Sequence, residues 1–171
     1  MTQLVIVNES VLHCRADALV NTVNCQGFMG KGIALAFARD LRFKSDGTHP
    51  SLEEDYKYRC GLPESVPDKV RPGVPYVYKL PQLSLEPPRF VINFPTKNRY
   101  QNKSRIEWVE AGLELLVGLV WTYRMSSIAM PALGCGNGGL RWQDVEPLIA
   151  AFSRSVNVPV YVALPASSRR P

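Results

Sequence analysis

A chain of 171 residues with 46% hydrophobic residues suits one compact domain with a sizeable core. Its charged share of 20% is ordinary for a folded protein, which excludes a disordered chain, and no apolar run is long enough to span a bilayer. The net charge of +5 suits phosphate-bearing ligands, although the needs of solubility explain a charge of this size more simply.

Strands and helices are predicted to alternate along most of the chain. Strands are expected at 4–7, 18–23, 74–80, 89–94, 128–130 and 158–164, and helices at 30–43, 52–60, 105–124 and 145–155, with a proline-rich loop at 63–75. The helix over 105–124 has one apolar face, and Ser104 with Glu107 matches a capping box at its start. Alternation of this kind predicts a layered α/β domain.

The cysteines and histidines do not predict a metal site. None of the four cysteines forms a Cys-x-x-Cys pair, and the two histidines are far apart in the sequence. The first residues lack the pattern of a secretion signal, so we expect a cytoplasmic protein with reduced cysteines.

Two glycine-rich segments, each directly after a predicted strand, carry most of the chemical information. The first segment, 27–34, includes Met29, Gly30, Lys31, Gly32, Ile33 and Ala34, and the second, 131–140, includes Leu133, Gly134, Cys135, Gly136, Asn137, Gly138, Gly139 and Leu140. Glycine lets a ligand approach the backbone, and amides at the start of a helix favour anions, so the two segments could hold a diphosphate between them. One such segment alone would be read as a tight turn. Neither is a P-loop, and a nicotinamide site is disfavoured because no acidic residue follows about twenty positions after the second segment.

The sequence over 18–24 and 29–34 resembles the signature of macrodomains, and 131–136 resembles their second phosphate loop. More narrowly, 93–97 and 103–105 resemble the DarG-type DNA ADP-ribosyl glycohydrolases, which are related to the terminal ADP-ribose protein glycohydrolases. The resemblance implies a three-layer α/β/α macrodomain over 1–165 with a mixed central sheet. It also implies ADP-ribose in a cleft at the strand ends. The polar and basic composition of 166–171 predicts a flexible tail.

The resemblance also implies roles for single residues. Lys97 is the implied nucleophile that attacks the anomeric carbon of the distal ribose, with Thr96 beside it as a ligand-binding residue. A nucleophilic lysine needs a lowered pKa, for which burial or a cation such as Arg99 or Lys103 would serve. Asn24 is implied to hold the ribose hydroxyls.

Two positions depart from the family pattern, and one residue has a double interpretation. Where macrodomains usually carry an adenine-reading aspartate, this chain has Glu9 and Ser10. Either residue is a candidate for that role, and the alternative is that neither reads the adenine and stacking alone holds it. The protein-directed lysine enzymes of the family carry an aspartate after the Gly-x-Gly of the second loop, where it helps to resolve the adduct. This chain has no acidic residue over 137–139, which disfavours protein-glutamate substrates and favours DNA. Asn21 is included among the ligand-binding candidates, although bracing of the local backbone explains it better.

The segment 97–105 contains four cations and one aromatic residue, Tyr100. Cations suit backbone phosphates and a tyrosine suits stacking on a base, but a solvated loop before a helix explains the segment equally well. Three tryptophans, Trp108, Trp121 and Trp142, are predicted to be packing residues.

The leading hypothesis is therefore a hydrolase that removes ADP-ribose from a nucleobase in single-stranded DNA, without a cofactor. The alternatives are hydrolysis of glutamate esters on protein, deacetylation of O-acetyl-ADP-ribose, and a non-enzymatic reader of ADP-ribose. The expected partners are ADP-ribose, its modified substrate and, by resemblance, a DNA-modifying toxin; no membrane partner is expected.

Overall fold

The computed structural model describes residues 4–81 and 86–164. Within them the elements are β1 (Leu4–Val7), β2 (Ala18–Val23), α1 (Gly32–Arg39), α2 (Leu52–Cys60), β3 (Tyr76–Lys79), β4 (Phe90–Pro95), α3 (Ile106–Thr122), β5 (Ile128–Pro131), α4 (Trp142–Ser155) and β6 (Val160–Ala163). No helix in these two ranges is long and apolar enough to cross a membrane. The tail predicted at 166–171 lies outside the described residues.

The strands form one mixed sheet in the order β1-β6-β5-β2-β4-β3. Every neighbouring pair is parallel except β3 with β4, which is antiparallel. The carboxyl ends of the five parallel strands therefore lie along one edge of the sheet, and the loops that follow them meet there. Ligands of open α/β sheets bind at this edge.

Both faces of the sheet are covered by helices. In β2, Leu19 and Val23 face one apolar layer with α1 and α2, whereas Ala18 and Val20 face a second layer with α3 and α4. This alternation follows from the two-residue period of a strand. The predicted three-layer α/β/α architecture with a mixed sheet is confirmed.

The start of α3 differs from the prediction. Arg105 is the N-cap of α3 and makes no side-chain cap hydrogen bond, so the capping box predicted from Ser104 and Glu107 is wrong. The Ser104 hydroxyl is instead buried, without a hydrogen-bond partner among the described residues, and the Ser104 amide donates to the Gly138 carbonyl at 2.9 Å. Ser104 therefore packs against the second glycine loop, which competes with capping.

One feature was not predicted, and one other local expectation differs. A capping box does exist, but at Ser51 and Glu54, where it starts α2. Trp121 was expected to pack, yet its side chain is 62% exposed near the end of α3. Trp142 is half-buried against the α3 and α4 layer, as expected. All four cysteines are free.

Candidate functional site: a cleft between two glycine loops

A cleft of about 950 Å³ opens at the carboxyl edge of the sheet. Its walls come from the ends of β2, β4, β5 and β6, from the start of α1, and from the two glycine loops. The volume lies within the range of small-molecule sites in proteins. The two glycine-rich segments thus border one cavity, although they lie about a hundred residues apart in the sequence.

The start of α1 forms one wall of the cleft. Lys31 is its N-cap in an extended conformation, φ −148° and ψ 161°, and makes no side-chain cap hydrogen bond. The first helical residues, Gly32, Ile33 and Ala34, line the cleft. Because the amides of a first helical turn have no intrahelical acceptor, this wall presents backbone donors and the positive end of the helix dipole to a ligand.

The first loop touches the second loop at Gly32. Gly32 has a φ of +57°, in the left-handed region, and a Cβ there would lie 2.9 Å from Asn137 Nδ2. Only glycine accommodates both the backbone conformation and this close approach.

The second loop is braced by its own backbone. The Leu140 amide donates to the Gly134 carbonyl at 3.0 Å, and the Gly139 amide donates to the Gly136 carbonyl at 3.1 Å. A Cβ on Gly138 would lie 2.2 Å from the Gly134 carbonyl oxygen, whereas a Cβ on Gly136 would have no atom within 4 Å. Gly138 is therefore required by the packing of the loop, and Gly136 faces open space in the cleft.

Lys97 follows β4 directly, and its side chain lines the cleft. The flanking backbone is clamped to β2 and its loop, because the Thr96 amide donates to the Val23 carbonyl and the Cys25 amide donates to the Asn98 carbonyl. The Lys97 Nζ donates to the Asn137 carbonyl oxygen at 2.7 Å. The Lys97 side chain thus extends across the cleft, from the end of β4 to the second glycine loop.

The environment of Lys97 favours its neutral form. Burial lowers the pKa of the Lys97 amine, and the positive charge of Lys31 lowers it further. The neighbouring cation is therefore Lys31 of the first loop rather than Arg99 or Lys103, the two candidates near Lys97 in the sequence.

Asn24 is buried at the end of β2 with a fixed amide orientation. Its Oδ1 accepts from the Gln26 amide at 2.8 Å and lies 2.9 Å from the Tyr56 hydroxyl, while its Nδ2 donates to the Phe28 carbonyl at 2.8 Å. The Gln26 amide can only donate, and the Phe28 carbonyl can only accept, so together they exclude the flipped amide. One Nδ2 proton has no acceptor among the described residues and remains available to a ligand oxygen.

Twelve of the predicted site residues line the cleft. They are Asn24, Gly30, Lys31, Gly32, Ile33, Ala34, Thr96, Lys97, Gly134, Gly136, Asn137 and Gly138.

The other predicted ligand-binding residues do not line the cleft. Met29 and Leu133 are buried in the apolar layers, Cys135 and Leu140 are half-buried, and Gly139 is exposed outside the lining. Asn21 is fully buried and donates from Nδ2 to Asn93 Oδ1 at 2.9 Å, so it braces β2 against β4.

Glu9 and Ser10 follow β1, one strand beyond the β6 wall. The Ser10 hydroxyl accepts from the Leu12 amide and caps the 3-10 turn Val11–His13, and the Glu9 carboxylate faces Cys14. Neither residue lines the cleft. Adenine recognition by Glu9 or Ser10 stays a prediction.

Eight residues outside the predicted ligand set also line the cleft, and three of them, Phe28, Tyr100 and Gln101, come from the loops after β2 and β4. Phe28 sits inside the first glycine-rich segment, and an aromatic residue within such a loop is the signal that the sequence offers. Tyr56, which contacts Asn24 from α2, lies 32 positions later in the sequence. No local sequence pattern indicates this contact.

The cleft is electropositive. Lys31 and Lys97 line it, and no aspartate or glutamate among the described residues does so. An anionic ligand such as a diphosphate is favoured there by both charges and by the helix start. No group of histidine, cysteine or acidic side chains in the described ranges could hold a metal ion.

A scan against known families matches residues 20–149 to the Macro domain, which covers most of the chain and both glycine loops. The chain belongs to the macrodomain family. The matched residues include both glycine loops, which border the cleft.

The macrodomain is similar to larger curated proteins. It is 37% identical over 161 residues to the DNA ADP-ribosyl glycohydrolase of Mycobacterium tuberculosis, covering 94% of this chain and 42% of the relative. It is 38% identical over 163 residues to the protein of the same name from Thermus aquaticus, covering 95% of this chain and 41% of the relative. The chain therefore spans about two fifths of the length of these curated relatives.

Solved structures show the same fold. The macrodomain of Mycobacterium tuberculosis DarG matches with a TM-score of 0.82 and 35% identity, and the match covers 97% of this chain and 100% of that chain. Thermosipho africanus DarTG in complex with ADP-ribose matches with a TM-score of 0.84 and 28% identity, covering 100% of this chain and 44% of that one.

Proposed function

We propose that this macrodomain binds ADP-ribose in the cleft and hydrolyses its bond to a nucleobase of single-stranded DNA, with Lys97 as the nucleophile. One observation carries the proposal: the Lys97 Nζ, 2.7 Å from the Asn137 carbonyl, shares one cavity with both glycine loops. The names of the similar proteins, DNA ADP-ribosyl glycohydrolases, support the reaction and the substrate class.

The cleft offers a place for each part of ADP-ribose. The amides at the start of α1 and the open face of Gly136 receive the diphosphate, with Lys31 adding charge. The free Nδ2 proton of Asn24 binds a hydroxyl of the distal ribose. The anomeric carbon then faces the Lys97 amine, which reaches from the end of β4 to the second loop.

The chemistry requires a neutral amine at Lys97. The lone pair of Nζ forms a bond to the anomeric carbon while the bond from that carbon to the base breaks, and the base leaves with the bonding electrons and takes up a proton. Opening of the ribose ring converts the adduct into a protonated imine. Water adds to the imine carbon, the carbon–nitrogen bond breaks, and free ADP-ribose leaves with the amine restored.

The lining favours DNA over protein as the substrate. The second loop presents Asn137, Gly138 and Gly139 rather than an acidic residue, so the described lining lacks the carboxylate with which the protein-directed lysine enzymes resolve their adduct. The similar Thermosipho africanus protein, 30% identical over 181 residues, is a DNA ADP-ribosyl transferase-DNA ADP-ribosyl glycohydrolase fusion protein. It supports a DNA-modifying transferase as the source of the substrate.

A panel of labelled substrates tests the proposal. The wild-type protein is incubated with an ADP-ribosylated single-stranded oligonucleotide, an ADP-ribosylated protein and O-acetyl-ADP-ribose, and released ADP-ribose is measured. We expect release from the oligonucleotide. Release from the protein or the acetyl ester alone would assign another substrate, and binding of ADP-ribose without any release would identify a reader.

A further inference from the structure

Two large aromatic side chains stand exposed at the mouth of the cleft. Phe28 is 56% exposed and Tyr100 is 51% exposed, and both line the cleft. Their rings contact each other edge to face, with centroids 5.3 Å apart and an interplanar angle of 68°. Of the large hydrophobic side chains exposed in the described ranges, these two alone belong to the lining. An exposed apolar patch at the edge of a ligand cleft is a candidate binding surface.

The fold holds this aromatic pair next to the Lys97 amine. Phe28 follows β2 and accepts from Asn24 Nδ2 through its carbonyl, while the Tyr100 amide donates to Gln26 Oε1 at 3.1 Å. The loops after two neighbouring strands, β2 and β4, are thereby joined. The Tyr100 carbonyl lies 3.5 Å from Lys97 Nζ. A group attached to the anomeric carbon at Lys97 would therefore leave the cleft beside these two rings.

Unpaired cations continue from the aromatic pair. Arg99 and Lys103 are exposed and form no ion pair within residues 4–81 and 86–164. The Lys103 side chain lies along the second loop, since a Cβ on Gly139 would be 3.7 Å from Lys103 Cδ. No acidic residue occurs over 96–105. A polyanion that leaves the cleft would meet positive charge on this side.

We propose that Phe28 and Tyr100 form a stacking platform for a base of single-stranded DNA, and that Arg99 and Lys103 bind the phosphates next to it. This inference rests on the proposed function and specifies how the strand carrying the modified base is held. A single strand fits because its bases present free faces, which in a duplex are covered by neighbouring pairs. A protein substrate would give the cations no regular row of phosphates.

The test is binding of a short, labelled, unmodified single-stranded oligonucleotide to the full chain, measured by fluorescence anisotropy. Phe28→Ala and Tyr100→Ala are each expected to weaken binding about tenfold, within the range of one lost base–aromatic stack. Tyr100→Phe keeps the ring and should bind like wild type. Trp121→Ala is the matched control, because it removes an exposed aromatic residue outside the cleft lining.

Two further arms separate stacking from simple charge attraction. An abasic strand of equal length should bind about tenfold more weakly than the complete oligonucleotide. Arg99→Gln and Lys103→Gln should each reduce the slope of log affinity against log salt by about 0.7, as expected for one lost phosphate contact. Arg154→Gln, at the end of α4, should leave the slope unchanged.

Three results would overturn the inference: wild-type affinity in both alanine variants, equal affinity for the abasic strand, or an equal loss of affinity for free ADP-ribose. The last result would assign the rings to the ADP-ribose site instead. Because this assay requires no turnover, its failure is distinguishable from a failure of the proposed hydrolase activity.

Discussion

Replacement of Gly136 by glutamate tests whether the second loop faces the diphosphate. A Cβ on Gly136 would have no atom within 4 Å, and its φ lies outside the left-handed region, so the backbone accepts a side chain without strain. The new side chain would project into the cleft of about 950 Å³. We therefore expect folding to be preserved and the ligand to be excluded.

The magnitude follows from charge. A carboxylate about 6 Å from a phosphate charge at an effective dielectric constant of about 20 is repelled by about 3 kcal/mol. Screening by salt and solvent reduces this value, but a diphosphate carries two charges, so a net loss of about 3 kcal/mol is reasonable. A loss of this size weakens ADP-ribose binding by about 100-fold.

The assay is isothermal titration calorimetry with ADP-ribose, together with thermal unfolding of each variant. Gly136→Gln has the same shape without the charge and should lose less affinity, while Gly136→Ala should bind within a few-fold of wild type. An ADP-ribose affinity of Gly136→Glu equal to that of wild type, in a folded protein, would refute the orientation of the second loop. A large fall in unfolding temperature would refute the open space at Gly136.

Three further predictions concern positioning, pH and packing. Tyr56→Phe removes a buried hydroxyl that lies 2.8 Å from the Asn24 carbonyl oxygen and 2.9 Å from Asn24 Oδ1, so the unfolding free energy should fall by about 1–3 kcal/mol and kcat about tenfold, while the ADP-ribose Kd changes little. Lys31→Gln removes the cation that lowers the pKa of Lys97, so the rise of kcat with pH should move to higher pH. Gly138→Ala places a Cβ 2.2 Å from a backbone oxygen and should cost about 1–3 kcal/mol of unfolding free energy in urea titrations. An unchanged kcat, an unchanged pH profile and an unchanged stability, respectively, would contradict these three expectations.

The bounds of elements with strong local patterns could be predicted from the sequence. The predicted β2 and α2 match Ala18–Val23 and Leu52–Cys60. The start of α1 was placed two residues early, because Lys31 is an extended N-cap and Gly30 belongs to the loop. The capping box at Ser104 was wrong for a tertiary reason: its amide is used by Gly138 and its hydroxyl is buried against the second loop.

The cleft could be predicted in outline but not in its contacts. Two glycine loops after parallel strands are expected to meet at one edge of the sheet, and the structure places both there. The proximity of Lys31 to Lys97, 66 positions later in the chain, depends on how the first loop turns toward β4. Local reasoning favoured Arg99 and Lys103 because they are near Lys97 in sequence. Spacing along a chain does not report distances between loops of different strands.

The nucleophilic role of Lys97 is tested most directly by the Lys97→Ala variant on an ADP-ribosylated single-stranded oligonucleotide, with ADP-ribose binding measured in parallel. Lys79→Ala, which alters an exposed lysine on β3, is the matched control. We predict that Lys97→Ala binds free ADP-ribose with an affinity close to that of wild type and releases none from the oligonucleotide, while Lys79→Ala is fully active. Release by Lys97→Ala at the wild-type rate would contradict the lysine mechanism.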